Sequence, residues 1–389
     1  MSFADEPLGG RSLDDVAELE AGDPAGMLPA VASGAAQVRE AAGLAREAGL
    51  EGLAAEGRPR AVVVCGMGGS GIAGDILAAV AGPGCPVPIL THRGYGLPAW
   101  VGATDVVVTV SCSGSTEETL SALEEAVRRG SRLLVVGAAG SPLEALGQRG
   151  RATFVPVAQG RQPRAAVWSL STPLVVAGEA LGLLSTSADA IEAAAGMLEA
   201  VAERCRPDAG ALTNPAKRLA HELLGAVPVL WGTSPLAGVA AYRFACQLNE
   251  NAKTPAVHGV LPESNHNQVV AFDGPFGGGG NAGRGTSDAD LFRDRGDDAD
   301  EDAATRMQLV LLRDTDEHPQ VRRRAEASVE LAQERGVRLT ALQAEGATSL
   351  ERLAFLIAMT DWASVYLALL QGLDPTPVDA ITSLKKRIA

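Results

Sequence analysis

The stretch Ala61-Val62-Val63-Val64-Cys65-Gly66-Met67-Gly68-Gly69-Ser70-Gly71 decides how this chain is read. Its first five residues form a short apolar run dominated by β-branched side chains, which favours a buried strand. Of the next six all but Met67 are glycine or serine, and from Ile72 to Val80 the spacing turns helical. The order is strand, glycine loop, helix. The unit recurs outward from there. Val87 to Leu90 is a strand candidate. Asp105 to Val110 is another, followed by the hydroxyl-rich loop Ser111 to Thr116 and a helix from Glu117 to Arg129; Arg132 to Val136 is a third. Continuous apolar strands alternating with helices predict an α/β fold whose parallel sheet is covered by helices on both faces.

A second series begins near residue 200. Val227 to Trp231 leads into the loop Gly232 to Gly238 and a helix through Phe244; Met307 to Leu312 and Val337 to Leu342 are later strands. A long helix is expected from Leu350 to Gln371 and a short one from Val378 to Ile388. The chain of 389 residues is too long for one ordinary core. Two domains are therefore expected: 1–190, a helical Ala- and Glu-rich segment followed by the first sheet, and 191–389. The second carries a glycine-rich, acidic insertion over 273–304. A calcium loop there fails on spacing, because Arg293 stands where the loop needs glycine after Asp288.

Charge and composition exclude several classes. A formal net charge of −14 argues against nucleic acid or an anionic membrane as the main partner. It leaves room for an anionic metabolite held at a helix N-terminus. The five cysteines include no C-x-x-C pair, which points away from structural zinc and from a disulfide framework and toward a reducing, cytoplasmic setting. No basic leader followed by an apolar core opens the sequence, and no run of about 18 apolar residues reads as a membrane span.

Gly66, Gly68 and Gly71 match G-x-G-x-x-G, but a dinucleotide site also needs an acidic residue at the end of the next strand. That strand ends Leu90-Thr91-His92-Arg93, without a carboxylate. Two readings stay open: a tight turn that needs small residues, or close approach of a sugar phosphate. The Ser111–Thr116 loop favours the phosphate, because hydroxyls and unpaired amides gather where a strand passes into a helix. N-capping of that helix by Ser115 or Thr116 is expected as well.

These two loops resemble the sugar-phosphate loops of sugar-isomerase (SIS) domains. With Asn249-Glu250-Asn251-Ala252-Lys253, Glu263-Ser264-Asn265-His266-Asn267, Asp374-Pro375-Thr376-Pro377-Val378 and the terminal Leu384-Lys385-Lys386, the chain resembles the bifunctional phosphoglucose/phosphomannose isomerase family from about residue 60 onward. The resemblance implies two SIS-type domains and a metal-free, cofactor-free interconversion of fructose 6-phosphate with glucose 6-phosphate, mannose 6-phosphate or both, through an enediol. Gly69, Ser70, Ser111, Ser113 and Thr116 match the phosphate-binding positions. Glu250 matches the base that moves the proton between C1 and C2, and Arg164 the cation beside the enediolate. His266 and Lys385 match the pair tied to ring opening. A homodimer with shared active sites is also implied, His266 entering the neighbouring subunit's site. The chemistry asks for such a set independently: a base, a cation where enediolate charge grows, and an acid to open the ring.

Each residue also has a plainer reading. Glu250 fits a helix-end carboxylate paired with Lys253. His266 fits an exposed histidine, Arg164 a solvated loop arginine, and Lys385 the cationic end of a helix, beside Lys386. Two rival functions stay open: a non-catalytic sugar-phosphate sensor and an isomerase of another phosphosugar. Residues 1–58 contain no basic helix-turn-helix, as a DNA-binding sensor would require.

Overall fold

The computed structural model describes residues 12–158, 160–278 and 306–388. The greater part of the expected 273–304 insertion, from residue 279 on, lies outside them. The chain forms two compact units, 26–206 with 345–358 and 207–344 with 1–25 and 359–389.

The first unit contains five parallel strands: β1 (Val62–Cys65), β2 (Ile89–His92), β3 (Val106–Ser111), β4 (Arg132–Ala138) and β5 (Thr153–Val157). Their order is β2-β1-β3-β4-β5. Alternate residues serve opposite faces. Val63, Cys65, Val107 and Val135 pack with Ala122, Leu123 and Ala126 of the Glu117–Arg129 helix and with Leu143 and Leu146 of the Pro142–Arg149 helix. On the other face Gly74, in the Gly69–Ala81 helix, lies so close that a Cβ would sit 2.8 Å from that of Val64. Both faces are thus covered, as the apolar runs predict. Strand β5 was not anticipated; Pro156 interrupts its pattern, and proline is tolerated there because β5 is an edge.

The second unit contains the parallel strands β6 (Val227–Gly232), β7 (Val257–Val260), β8 (Met307–Arg313) and β9 (Arg338–Gln343), in the order β7-β6-β8-β9. Val229, Trp231, Leu309 and Leu311 pack on Ala325 and Ala332 of the Pro319–Glu334 helix, and Trp231 stacks on Phe272 with ring centroids 5.5 Å apart. The Ser349–Leu370 helix lies where the long helix is expected. It is long and apolar enough to cross a membrane, yet its apolar window is wholly buried in the protein. Its polar exceptions are paired: Asp361 takes a bidentate bond from buried Arg243, and Ser364 accepts from Asn251 at 2.9 Å. Such burial is tolerated only where partners replace water.

Candidate functional site

In both sheets the chain starts in an interior strand, adds one neighbour, then crosses to the other side. This makes a switch point between β1 and β3 and another between β6 and β8. Loops leaving the carboxyl ends of strands at such a point diverge and leave a crevice, where ligands bind in open α/β sheets.

At the first switch point the two sequence-predicted loops stand side by side, because β1 and β3 pair in parallel from Val62↔Val106 to Cys65↔Thr109. The glycines there have different tasks. A Cβ on Gly66 would meet the Ser70 carbonyl carbon at 2.9 Å, and one on Gly71 the Gly66 oxygen at 2.8 Å, so both serve the tight turn. Gly68 sits at φ 52° with open space around it, and Gly69 meets only the Pro163 oxygen, at 3.8 Å. The open pair presents the amino end of the Gly69–Ala81 helix, where amide N–H groups lack intrahelical partners. Ser70, in the first turn, is buried.

The hydroxyl loop is internally bonded. Ser111 Oγ lies 3.0 Å from Thr116 Oγ1 and accepts from the Gly114 amide at 3.0 Å. Ser113 Oγ accepts from the Ser115 amide at 3.3 Å and from Ser115 Oγ at 3.2 Å. Thr116 stands at the N-cap but makes no side-chain cap bond, and Ser115 is turned toward Ser113. The expected capping is therefore absent, because Ser111 and Ser113 compete for these hydroxyls. Ser111 is buried while Ser113 and Ser115 are exposed, so the cluster has a fixed base and a free rim.

Arg164 belongs to the same unit. It lies in the 3-10 turn Pro163–Ala165, whose Pro163 oxygen overhangs Gly69. Arg161, in the same segment, pairs with Glu40. Burial pushes the Cys112 thiol above its ordinary value, and the Arg161 guanidinium acts against that shift, so this segment reaches the hydroxyl loop too. The structure thus brings together Gly69, Ser70, Ser111, Ser113 and Thr116, with the turn that carries Arg164 beside Gly69.

The second switch point is built differently. Thr233 Oγ1 donates to Glu317 at 2.6 Å, and Ser234 Oγ donates to Asp314 at 2.8 Å. Burial alone would raise the Glu317 carboxyl, but hydrogen bonds from Arg313 and Thr233 outweigh it and hold it below the usual carboxylate range. Carboxylates here take the hydroxyl donors that an anion would need. The first switch point is the candidate anion site.

Glu250 is the last residue of the Pro235–Glu250 helix. That helix starts just past the carboxyl end of β6 and runs about 24 Å, for 16 residues at about 1.5 Å each. Glu250 therefore stands at the amino ends of the strands, near the start of β7. His266 follows the far end of β7, in the turn Glu263–His266, and is exposed. Within one chain the two lie at opposite ends of the sheet, although 16 positions separate them. The C-terminal segment does join Glu250: Gln371 Nε2 donates to Thr254 Oγ1 at 3.1 Å, and Lys253 Nζ donates to the Asp374 oxygen at 3.1 Å. Lys385 follows on the Asp379–Ile388 helix, fully on the surface. Among the described residues no three His, Cys, Asp or Glu side chains gather as a metal-binding set. Sequence reasoning sees Lys253 only as a charge partner; its ammonium also reaches backbone carbonyls that no side-chain pattern reveals.

Solved structures share this fold. A glucose-6-phosphate isomerase from Chlamydia trachomatis superposes with a TM-score of 0.63 at 14% identity, covering 92% of this chain and 77% of that one. A glucose-6-phosphate isomerase like protein from Thermus thermophilus gives 0.56 at 19% identity, covering 97% and 99%. Residues 212–388 match the family model of the bacterial phospho-glucose isomerase C-terminal SIS domain. With two parallel sheets flanked by helices and a hydroxyl-lined switch point, the chain is of the SIS phosphosugar-isomerase class. Bifunctional phosphoglucose/phosphomannose isomerases of Caldicellulosiruptor bescii and Aquifex aeolicus are 32% and 31% identical to it, over 84% and 85% of this chain and 89% and 90% of theirs. The chain belongs to the bifunctional phosphoglucose/phosphomannose isomerase family.

Proposed function

We propose that the protein interconverts fructose 6-phosphate with glucose 6-phosphate, mannose 6-phosphate or both. The observation that carries this reading is the bonded hydroxyl cluster of Ser111, Ser113 and Thr116 beside the open Gly68–Gly69 helix start. Such a cradle supplies neutral donors and a helix amino end to a phosphate dianion. Gly69, Ser70, Ser111, Ser113 and Thr116 hold the phosphate. Glu250 removes the C2 proton of the aldose and returns it to C1, Arg164 stabilises the enediolate, and His266 and Lys385 serve ring opening and O5. No metal takes part in this scheme.

The active unit is a homodimer with shared sites. The separation of Glu250 from His266 along the β6–β7 layer supports a histidine supplied by a second copy. A cytoplasmic setting is supported by the cysteine spacing. Incubation with fructose 6-phosphate, followed by chromatographic separation of the aldose phosphates, tests the activity and separates glucose from mannose specificity. Binding of fructose 6-phosphate without product would instead identify a sensor.

A further inference from the structure

Lys253 follows the end of the Pro235–Glu250 helix, with its backbone at φ 53°. A left-handed conformation is unfavourable for a residue with a side chain. Its long side chain is held as well, at a cost in rotamer freedom. In return Nζ donates to the carbonyl oxygens of Glu250 at 3.0 Å, Asn251 at 3.1 Å, Asp374 at 3.1 Å and Pro375 at 3.4 Å. Two of these close the helix end that carries Glu250, where aligned carbonyls concentrate partial negative charge. The other two belong to the segment that leads through Thr376 to the helix bearing Lys385. That segment is also braced locally, the Thr376 amide donating to Asp374 Oδ1 at 2.8 Å.

We propose that Lys253 is a positioning residue whose ammonium clamps the Asp374–Pro375 backbone to the end of the Glu250 helix, so that base and C-terminal segment keep one geometry through turnover. This rests on the reading of Glu250 as the base. It differs from the charge pair that the sequence offers, because the ammonium is engaged by main-chain oxygens of two separate segments. Strain and immobilisation persist at one residue only where surrounding contacts over-determine it, and such places cluster at functional sites.

Three variants test the clamp: Lys253→Met keeps the stem, Lys253→Arg keeps a cation, and Lys253→Gly accepts the left-handed backbone without strain. With fructose 6-phosphate, Lys253→Met and Lys253→Gly should lose about 10- to 100-fold in kcat with KM within about threefold, since misplacement of a reacting group by about 1 Å costs that much. Lys253→Arg should recover part of the loss. Hydrogen exchange at the Thr376, Val378 and Asp379 amides should quicken in the Met and Gly variants. Wild-type turnover in Lys253→Met overturns the proposal, as does unchanged exchange. Wild-type turnover in Lys253→Gly alone assigns the effect to backbone conformation and overturns the ammonium's role. Glu250→Gln is measured alongside. If it turns over like wild type, the base assignment fails, while exchange and kcat in the Lys253 variants still decide the clamp.

Discussion

Ser111 Oγ and Thr116 Oγ1 lie 3.0 Å apart, one at the buried end of β3 and the other at the first position before the following helix. This bond spans the loop and sets the base of the proposed phosphate cradle, whereas Ser113 lies on its exposed rim. Removal of one hydroxyl from a charged phosphate should cost about 1.5–3 kcal/mol. Ser113→Ala should therefore raise KM for fructose 6-phosphate by about 10-fold or more and leave Tm unchanged. Ser111→Ala should raise KM and also lower Tm, because it removes the buried bond to Thr116 Oγ1 and one of the two acceptors of the Gly114 amide, whose bond to the Ser111 carbonyl remains. Steady-state kinetics and thermal melts of the two variants check both halves; equal Tm values would refute the division into base and rim.

Glu317 should make stability depend on pH in one direction. Its side chain is 1% exposed, and its carboxyl is held below the ordinary value by Arg313 and Thr233 despite burial. A group whose folded pKa is depressed contributes stability above its unfolded value, about 4.3, and loses it as pH falls through the folded value. Glu317→Gln should cost about 1–3 kcal/mol at pH 7. The gap in Tm between wild type and variant should narrow below about pH 4. A gap that widens on acidification would reverse the assignment.

The proposed shared site predicts complementation. Glu250→Gln alone should lower turnover by about 10² to 10⁴, and His266→Ala should also be nearly inactive. Coexpressed and randomly mixed, half of the dimers are heterodimers, each with one site free of both lesions, so about a quarter of wild-type activity should return. Recovery of nothing would assign His266 to its own chain's site.

Exhaustive treatment with EDTA should leave isomerisation intact, since in the proposed scheme Arg164 supplies the positive charge at the enediolate. Loss of activity on chelation with rescue by zinc would replace this mechanism with a Lewis-acid one.

Most of the first sheet was legible because its strands announce themselves. The Val62–Cys65 and Val106–Ser111 runs are apolar on both faces, and the glycine and hydroxyl loops follow directly. The Glu117–Arg129 helix has the predicted bounds because its cap position and terminal glycine bracket an amphipathic stretch. Edge strands β5 and β7 escaped notice, since Pro156 and the Val257-His258-Gly259-Val260 pattern carry little apolar signal. The Ser349–Leu370 helix was legible from its apolar length; Arg352 and Asp361 interrupt the apolar run, and the fold buries both.

The sequence alone determined the chemistry available: hydroxyl loops after strands, a carboxylate in Asn249-Glu250-Asn251, and a basic terminal helix. Those are local patterns, and local patterns follow from the periods of strand and helix. Tertiary structure decided which groups meet. Parallel pairing of β1 with β3 sets the two loops side by side, and Glu317 and Asp314 occupy the hydroxyls of the other switch point. A helix of 16 residues carries Glu250 away from His266 and toward Asp374, where Lys253 ties the chain together. Strand order and helix length convert short sequence separations into long distances and long ones into contacts, and neither is written in any single motif.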